Sequence, residues 1–221
     1  MNFQAIDCLG VVLAGGLSSR MGQDKAQLTR VKSASNTTAQ PATSMLDFSK
    51  QLLRDAGIKD IVVSGDNHQI PDCVPQAGPV GGIYSVLAHY PEHLQPKALL
   101  ILPVDLPLMT ATNLAKLRQT GELSQQAVFF SDSQKQAHHI PLYLPNNAFL
   151  QLFLAQAFQR EKLLANFNEN SNKNGNKNNK NGPSVRALLA QVPHKTITSQ
   201  TNRILFNSNT PEQWQQAQQQ F

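Results

Sequence analysis

The sequence predicts an α/β protein, a three-layer and mostly parallel sheet with helices on both faces. Three observations carry that expectation. Segments of strand character alternate with segments of helical period along most of the chain. The stretch ALLILPVD (98–105) is apolar without a break until its final carboxylate, as a central parallel strand buried on both faces should be. The first apolar run, CLGVVLA (8–14), opens directly into GGLSSRMGQDK, a turn too rich in breakers to prolong it. A loop leaving the end of a first central strand is where such folds place ligands.

Taken in order, 31–44 (VKSASNTTAQPATS) shows neither period and forms a long connection. MLDFSKQLLRDAG gives an amphipathic helix stopped by Gly57, and IKDIVVSG (58–65) a second strand ending at Gly65. Residues 66–79 read as loop, because Pro71, Pro75 and Pro79 block regular structure, and VGGIYSVLAHY forms a helix from about 80. After 98–105, LPLMTATNLAKLRQTG gives a turn and a helix capped by Thr110 and closed by Gly121. QAVFFS and HHIPLYL are strands, and NNAFLQLFLAQAFQRE is helical. The tract 166–182 (NFNENSNKNGNKNNKNG) has almost nothing apolar to bury and reads as a disordered loop. PSVRALLAQV is a short helix opened by Pro183 and Ser184. RILFNSNTPEQWQQAQQQ gives a strand, a cap at Thr210-Pro211-Glu212, and a last helix packed through Trp214 and Phe221.

Composition narrows the function classes. The longest apolar runs, 8–14 and 98–104, fall far short of the roughly 20 residues a membrane span needs. No basic flank precedes the first apolar stretch, so no secretory signal is expected. Two cysteines, Cys8 and Cys73, are too few for a disulfide framework or a four-ligand zinc site, and a reducing cytoplasm follows as the expected compartment. The net charge is +5, but eight of the 19 basic residues lie in 160–203 against two acids, with no stripe of interleaved aromatics. That pattern favours a small anionic substrate over nucleic acid. No membrane partner is expected, and the chain is expected to be a monomer.

The densest chemistry lies in 13–25, LAGGLSSRMGQDK. Adjacent Gly15 and Gly16 let main-chain N–H groups approach an anion without a Cβ in the way, and Arg20 and Lys25 add charge-assisted donors. These are the parts of a phosphate cradle, with a merely structural turn as the alternative. The spacing matches neither GxxxxGK[ST] nor GxGxxG, which disfavours a Walker A loop and a dinucleotide fold. Asp105 leaves its strand toward the same crevice, and a hard carboxylate beside a phosphate loop suits Mg²⁺; its alternative is to cap the next helix. Asp72 is a turn-former or a ligand contact. His138 and His139 lack further ligands at metal spacing and are expected on an edge strand or facing substrate. Cys8 fits a buried apolar position better than a nucleophile, and Ser18 and Ser19 lack the G-x-S-x-G elbow.

LAGGLSSRMGQDKA (13–26) resembles the signature of the molybdenum cofactor guanylyltransferases, nucleotidyltransferases built on a Rossmann-like sheet. IVVSGDN (61–67), IPD with GPVGGI (70–83), LPVDLPLM (102–109), PLY (141–143), SVRALL (184–189) and FNSNTPEQW (206–214) resemble further family segments in the same order. The resemblance implies a single nucleotidyltransferase domain over 1–221, with flexible insertions at 31–44 and 166–181. It implies main-chain contacts to a guanine nucleotide from Leu13, Ala14 and Gly15, a phosphate ligand at Lys25, nucleotide contacts at Asp72 and Asp105, and Mg²⁺ on Asp105. Gly16 and Gly82 join the nucleotide-binding set. Ser64 stands where the family commonly has Asn, which puts one side-chain contact in doubt and makes Asn67 a displaced candidate for it.

The implied reaction joins GTP to the terminal phosphate of a molybdopterin cofactor, giving the guanine dinucleotide and pyrophosphate, with Lys25, Arg20 and Asp105 as the catalytic set. Molybdopterin-inserting proteins and molybdoenzyme chaperones are the implied protein partners. The alternatives are another nucleotidyltransferase, using CTP or a sugar or polyol phosphate, and a non-catalytic protein that delivers cofactor.

Overall fold

The computed structural model describes residues 5–15, 24–30, 42–168 and 182–221. Gly16, Arg20 and most of both expected insertions lie outside the described residues. The chain begins with β1 (Leu9–Leu13), then a two-residue ladder of β2 (Thr29–Arg30) with β3 (Thr43–Ser44). Ser44 accepts from the Asp47 N–H and so caps α1 (Met45–Asp55), which ends where Gly57 takes φ +86°. The 31–44 connection is therefore not featureless at its end: Thr43 and Ser44 pair back onto the chain leaving Lys25.

There follow β4 (Asp60–Ser64), α2 (Gly78–His89), β5 (Ala98–Pro103), α3 (Ala111–Ser124), β6 (Ala127–Ser131), β7 (Ala137–Pro145) and α4 (Ala148–Asn168). The chain closes with α5 (Val185–Leu189), β8 (His194–Thr198) and α6 (Pro211–Gln218). The main sheet has the order β4-β1-β5-β7-β6-β8. All neighbours are parallel except at β7, which runs against β5 and β6. The expected mostly parallel three-layer α/β sheet is what forms.

Period two in the strands explains the layers. Leu9, Val11, Leu99 and Ile101 join Ile83, Val86, Leu150 and Leu188 from α2, α4 and α5. Val12, Leu100 and Leu102 join Leu52, Leu53, Leu114 and Leu117 from α1 and α3 on the other face. Both faces of β1 and β5 are covered, so neither strand alternates with polar residues.

Several elements differ from expectation. Pro79 does not block structure but sits in the first turn of α2, where a missing N–H costs nothing. Thr110 caps α3 as read, yet the helix passes through Gly121 to Ser124. A Cβ on Gly121 would lie 2.0 Å from Tyr143 Cδ1, so that glycine serves helix-on-sheet approach and not termination. The segment after Thr201 is a 3-10 turn, Asn202–Leu205, and not a strand. The eighth strand lies earlier, at His194–Thr198. Finally, α4 runs to Asn168, into the tract read as loop.

Candidate functional site

The C-terminal edge of the parallel strands gathers most of the sequence-predicted residues. Leu13 ends β1 and pairs with Ser64 at the end of β4 and with Pro103 at the end of β5. Beyond it, the Ala14 N–H donates to the Ser64 carbonyl at 2.9 Å, and the Val104 N–H to that of Leu13 at 3.3 Å. The chain after β1 thus crosses the end of β4 at close range. A Cβ on Gly65 would stand 2.7 Å from the Gly15 nitrogen, so only glycine lets the two loops touch.

Leu13, Gly15, Ser64, Asp72 and Gly82 surround one small region. A Cβ on Gly82 would meet Leu13 Cδ2 at 3.0 Å and Ser64 Oγ at 3.1 Å, with Asp72 Oδ1 at 3.9 Å. The near end of α2 therefore stays bare. Ser64 is 2% exposed, and its Oγ has no hydrogen-bond partner among the described residues. Burying a hydroxyl without a partner is unfavourable, which marks the position as one where a ligand can supply the missing bond. Burial, with Asp66 nearby, holds the Asp72 carboxyl above its ordinary range. Asn67, the displaced candidate, is exposed.

A second group adjoins the first. Asp24 caps a 3-10 turn, Lys25–Gln27, that fixes where Lys25 departs. Its Nζ donates to Asp105 Oδ2 at 3.2 Å and to Asn209 Oδ1 at 2.6 Å. The Lys25 and Asp105 side chains are only 17% and 18% exposed. Asp105 Oδ1 is buried and has no hydrogen-bond partner among the described residues. Asp105 does not cap α3, since Thr110 does that. Its carbonyl instead accepts from the Ser208 N–H at 2.9 Å, which docks the C-terminal segment against the site.

Asn209 is the residue that sequence reading left out of the site. Its signal was available in NTPE, because a helix cap fixes the residue before it: Gln213 Oε1 accepts from the Asn209 and Thr210 N–H groups at 2.7 and 3.2 Å. Nothing local says that this cap folds back on Lys25.

The other candidates divide. His138 and His139 are on β7, which lies inside the sheet order, but its ladder with β5 covers only Leu142–Pro145, and His138 pairs with Phe130 of β6. Burial, with Arg186, His138 and His194 near, holds His139 below its ordinary pKa, and its ring lies 5.4 Å from that of Phe129. Cys8 is half-buried, and burial pushes its thiol up to about 12, so it stays protonated at neutral pH and is no nucleophile. Among the described residues no cluster of three or more His, Cys, Asp or Glu could hold a metal, and no helix is long and apolar enough to cross a membrane.

A family model described as the MobA-like NTP transferase domain matches residues 10–166, well over half of the chain. The chain belongs to the MobA-like NTP transferase family. Its similarity extends past the matched segment: a molybdenum cofactor guanylyltransferase of Xanthomonas euvesicatoria pv. vesicatoria (strain 85-10) is 33% identical over 93% of this chain and 91% of its own length. Among solved structures, molybdopterin-guanine dinucleotide biosynthesis protein A from Archaeoglobus fulgidus aligns over 96% of this chain and 97% of its own, with TM-score 0.58 at 14% identity. A CMP:2-keto-3-deoxy-manno-octonic acid synthetase in complex with CTP reaches the same TM-score at 12% identity, covering 96% and 97% of the two chains. At such identities the structures establish the shared fold, a Rossmann-like nucleotidyltransferase sheet. As a MobA-like NTP transferase the chain is a nucleotidyltransferase that takes a nucleotide substrate.

Proposed function

We propose that the chain transfers GMP from GTP to the terminal phosphate of molybdenum-molybdopterin, forming the guanine dinucleotide cofactor and pyrophosphate. The observation that carries this reading is the convergence of Lys25, Asp105 and the β1 turn at one sheet edge, in a chain one third identical to a molybdenum cofactor guanylyltransferase along nearly its whole length. The domain is single, spanning 1–221. The reaction takes place in the cytoplasm, in keeping with two free cysteines.

Leu13, Ala14 and Gly15 present main chain to the guanine nucleotide, and Ser64 and Asp72 face it with a donor and an acceptor beside the bare start of α2. Lys25 binds phosphate, joined by Arg20 and the N–H groups of Gly15 and Gly16. The residues present fit Mg²⁺. Asp105 Oδ1 is a buried hard oxygen with no hydrogen-bond partner among the described residues, and Mg²⁺ characteristically takes one or two carboxylates while waters and substrate phosphates complete its shell. When bound there, the ion offsets charge on the α- and β-phosphates.

The substrate's terminal phosphate oxygen bonds to the α-phosphorus of GTP in line, the bond from that phosphorus to the β-bridging oxygen breaks, and pyrophosphate departs with the released charge. Lys25 and Arg20 stabilise that charge. The attacking phosphate is already anionic at neutral pH, so no side chain has to act as general base, and positioning supplies much of the acceleration.

The test incubates the protein with molybdopterin cofactor, Mg²⁺ and each of GTP, CTP, ATP and UTP, and reads the product by mass. A guanine dinucleotide from GTP alone is expected. A cytosine dinucleotide would move the chain to another branch of the family, and tight binding with no pyrophosphate from any nucleotide would make it a delivery protein.

A further inference from the structure

Helix α6 lies along the segment that carries Lys25 and is tied to it in register. At one end Asn209, just before the helix, accepts from Lys25 Nζ at 2.6 Å. In the middle Trp214 shares a small core with Leu28 and Met45. At the far end the Arg30 guanidinium carbon sits 4.3 Å from the ring centre of Phe48 and 4.3 Å from that of Phe221. The rings of Trp214 and Phe221 are 5.9 Å apart, so the middle and far contacts are continuous. Lys25 and Arg30 thus meet Asn209 and Phe221 in the same order, with Leu28 and Trp214 sharing one core between them.

This arrangement is more than packing. Arg30 Nε is buried without a hydrogen-bond partner among the described residues, and the guanidinium carbon lies over both rings. Burial and the neighbouring Arg203 disfavour its charge, a cost the two ring faces must offset. Arg203 itself donates to the Gln220 carbonyl beside Phe221, which fixes the chain on the far side of the sandwich. A flat, stackable cation between two aromatic rings resists sliding of one segment along the other, which an aliphatic contact would not.

We infer that Arg30, clamped between Phe48 and Phe221, is a positioning residue that keeps α6 in register with the 25–30 segment and so holds the Lys25 ammonium on Asn209 and Asp105. The inference deepens the proposed role of Lys25 in phosphate binding and rests on it only for its functional consequence. Its structural half stands apart: without the clamp, Lys25 should leave its two partners more often.

The experiment uses the full chain and the variants Arg30→Met, Arg30→Lys and Phe221→Leu. Pulsed acylation with an amine-reactive ester, read by peptide mass spectrometry, reports how often the Lys25 amine is free, with exposed Lys97 as internal reference. A partly buried cation–π contact shifts an equilibrium by roughly three- to tenfold, so Lys25 labelling should rise by about that factor in Arg30→Met and Phe221→Leu. Arg30→Lys keeps the charge but not the plane and should fall between wild type and Arg30→Met. Lys25 labelling unchanged relative to Lys97 in Arg30→Met and Phe221→Leu overturns the inference. Should Arg30→Met fail to fold, the other two variants decide it on the same readout.

Binding separates this inference from the function proposed above. With Mg²⁺ present, affinity for GTP should fall with rising Lys25 labelling, while affinity for guanosine stays constant. If Lys25 is freed and GTP affinity does not move, the clamp stands and the phosphate role of Lys25 is wrong. If GTP and guanosine affinities fall together with Lys25 labelling unchanged, Arg30 is merely structural.

Discussion

The two ends of strands β1 and β5 carry one lysine–aspartate pair each, and the pairs differ in every respect that matters. At the N-terminal edge Lys97 and Asp7 meet at 2.7 Å, with side chains 64% and 81% exposed. At the C-terminal edge Lys25 and Asp105 meet at 3.2 Å with less than a fifth of either side chain exposed. The shorter pair contributes little to stability, because water screens it and two long side chains lose freedom to form it. The longer pair is flanked by a second acceptor on the lysine and by an aspartate oxygen that has no hydrogen-bond partner among the described residues. A pair that leaves buried polar atoms unsatisfied is poorly optimised for stability, and parallel α/β sheets bind ligands at that edge.

Substitutions at the two edges should therefore separate activity from stability. The largest effect is expected for Asp105→Ala. Turnover per folded molecule should drop by roughly 100-fold or more, the scale expected when a catalytic metal loses its protein ligand. Asp7→Ala should leave turnover unchanged. A fold that collapses in Asp105→Ala, with normal turnover in the fraction still folded, would make both pairs structural.

Gly121→Ala is a control for the opposite kind of site. Its Cβ would overlap Tyr143, so it should destabilise by about 1–3 kcal/mol in denaturant titration. Nucleotide affinity of the folded protein should not change, because the contact lies between α3 and β7 and away from the proposed binding edge.

Asp72 gives a smaller effect whose sign depends on pH. Its carboxyl is held above the ordinary carboxylate range by burial and by Asp66. A carboxyl raised on folding contributes stability that is full below its unfolded pKa and lost as pH rises through the folded one. Asp72→Asn removes that loss. The variant should gain on wild type in thermal denaturation as the pH climbs from about 4 toward neutrality, while binding nucleotide less well. Stability differences independent of pH would show that Asp72 is not strained in the free protein.

The reach of the sequence differs between these regions for a physical reason. The site's main parts are written locally: a breaker-rich turn after a buried strand, and a carboxylate ending the most apolar run. Asn209 is not, because it reaches Lys25 across 184 positions and only tertiary folding brings them together. Strand β8 carries no sequence signal because it is an edge strand with four of its five residues exposed, so HKTIT has no apolar run. Gly121 reads as a helix stop, since a glycine that ends a helix and one that admits a tyrosine ring look identical in sequence. The 3-10 turn at Asn202–Leu205 shows the converse: Ile204 and Leu205 are buried, but as loop residues against the α1 and α3 face.

The contrast between the two edges is tested most directly by calorimetric titration of GTP and of guanosine, with Mg²⁺, into Lys25→Met and Lys97→Met. Methionine keeps the apolar stem and removes the charge. Lys25→Met should lose about 1.5–3 kcal/mol for GTP, roughly 10- to 150-fold in affinity, and nothing for guanosine. Lys97→Met should bind both as wild type does. Equal losses for the two ligands in Lys25→Met, or no loss for GTP, would contradict the assignment of Lys25 to phosphate and leave the C-terminal edge no different in kind from the other.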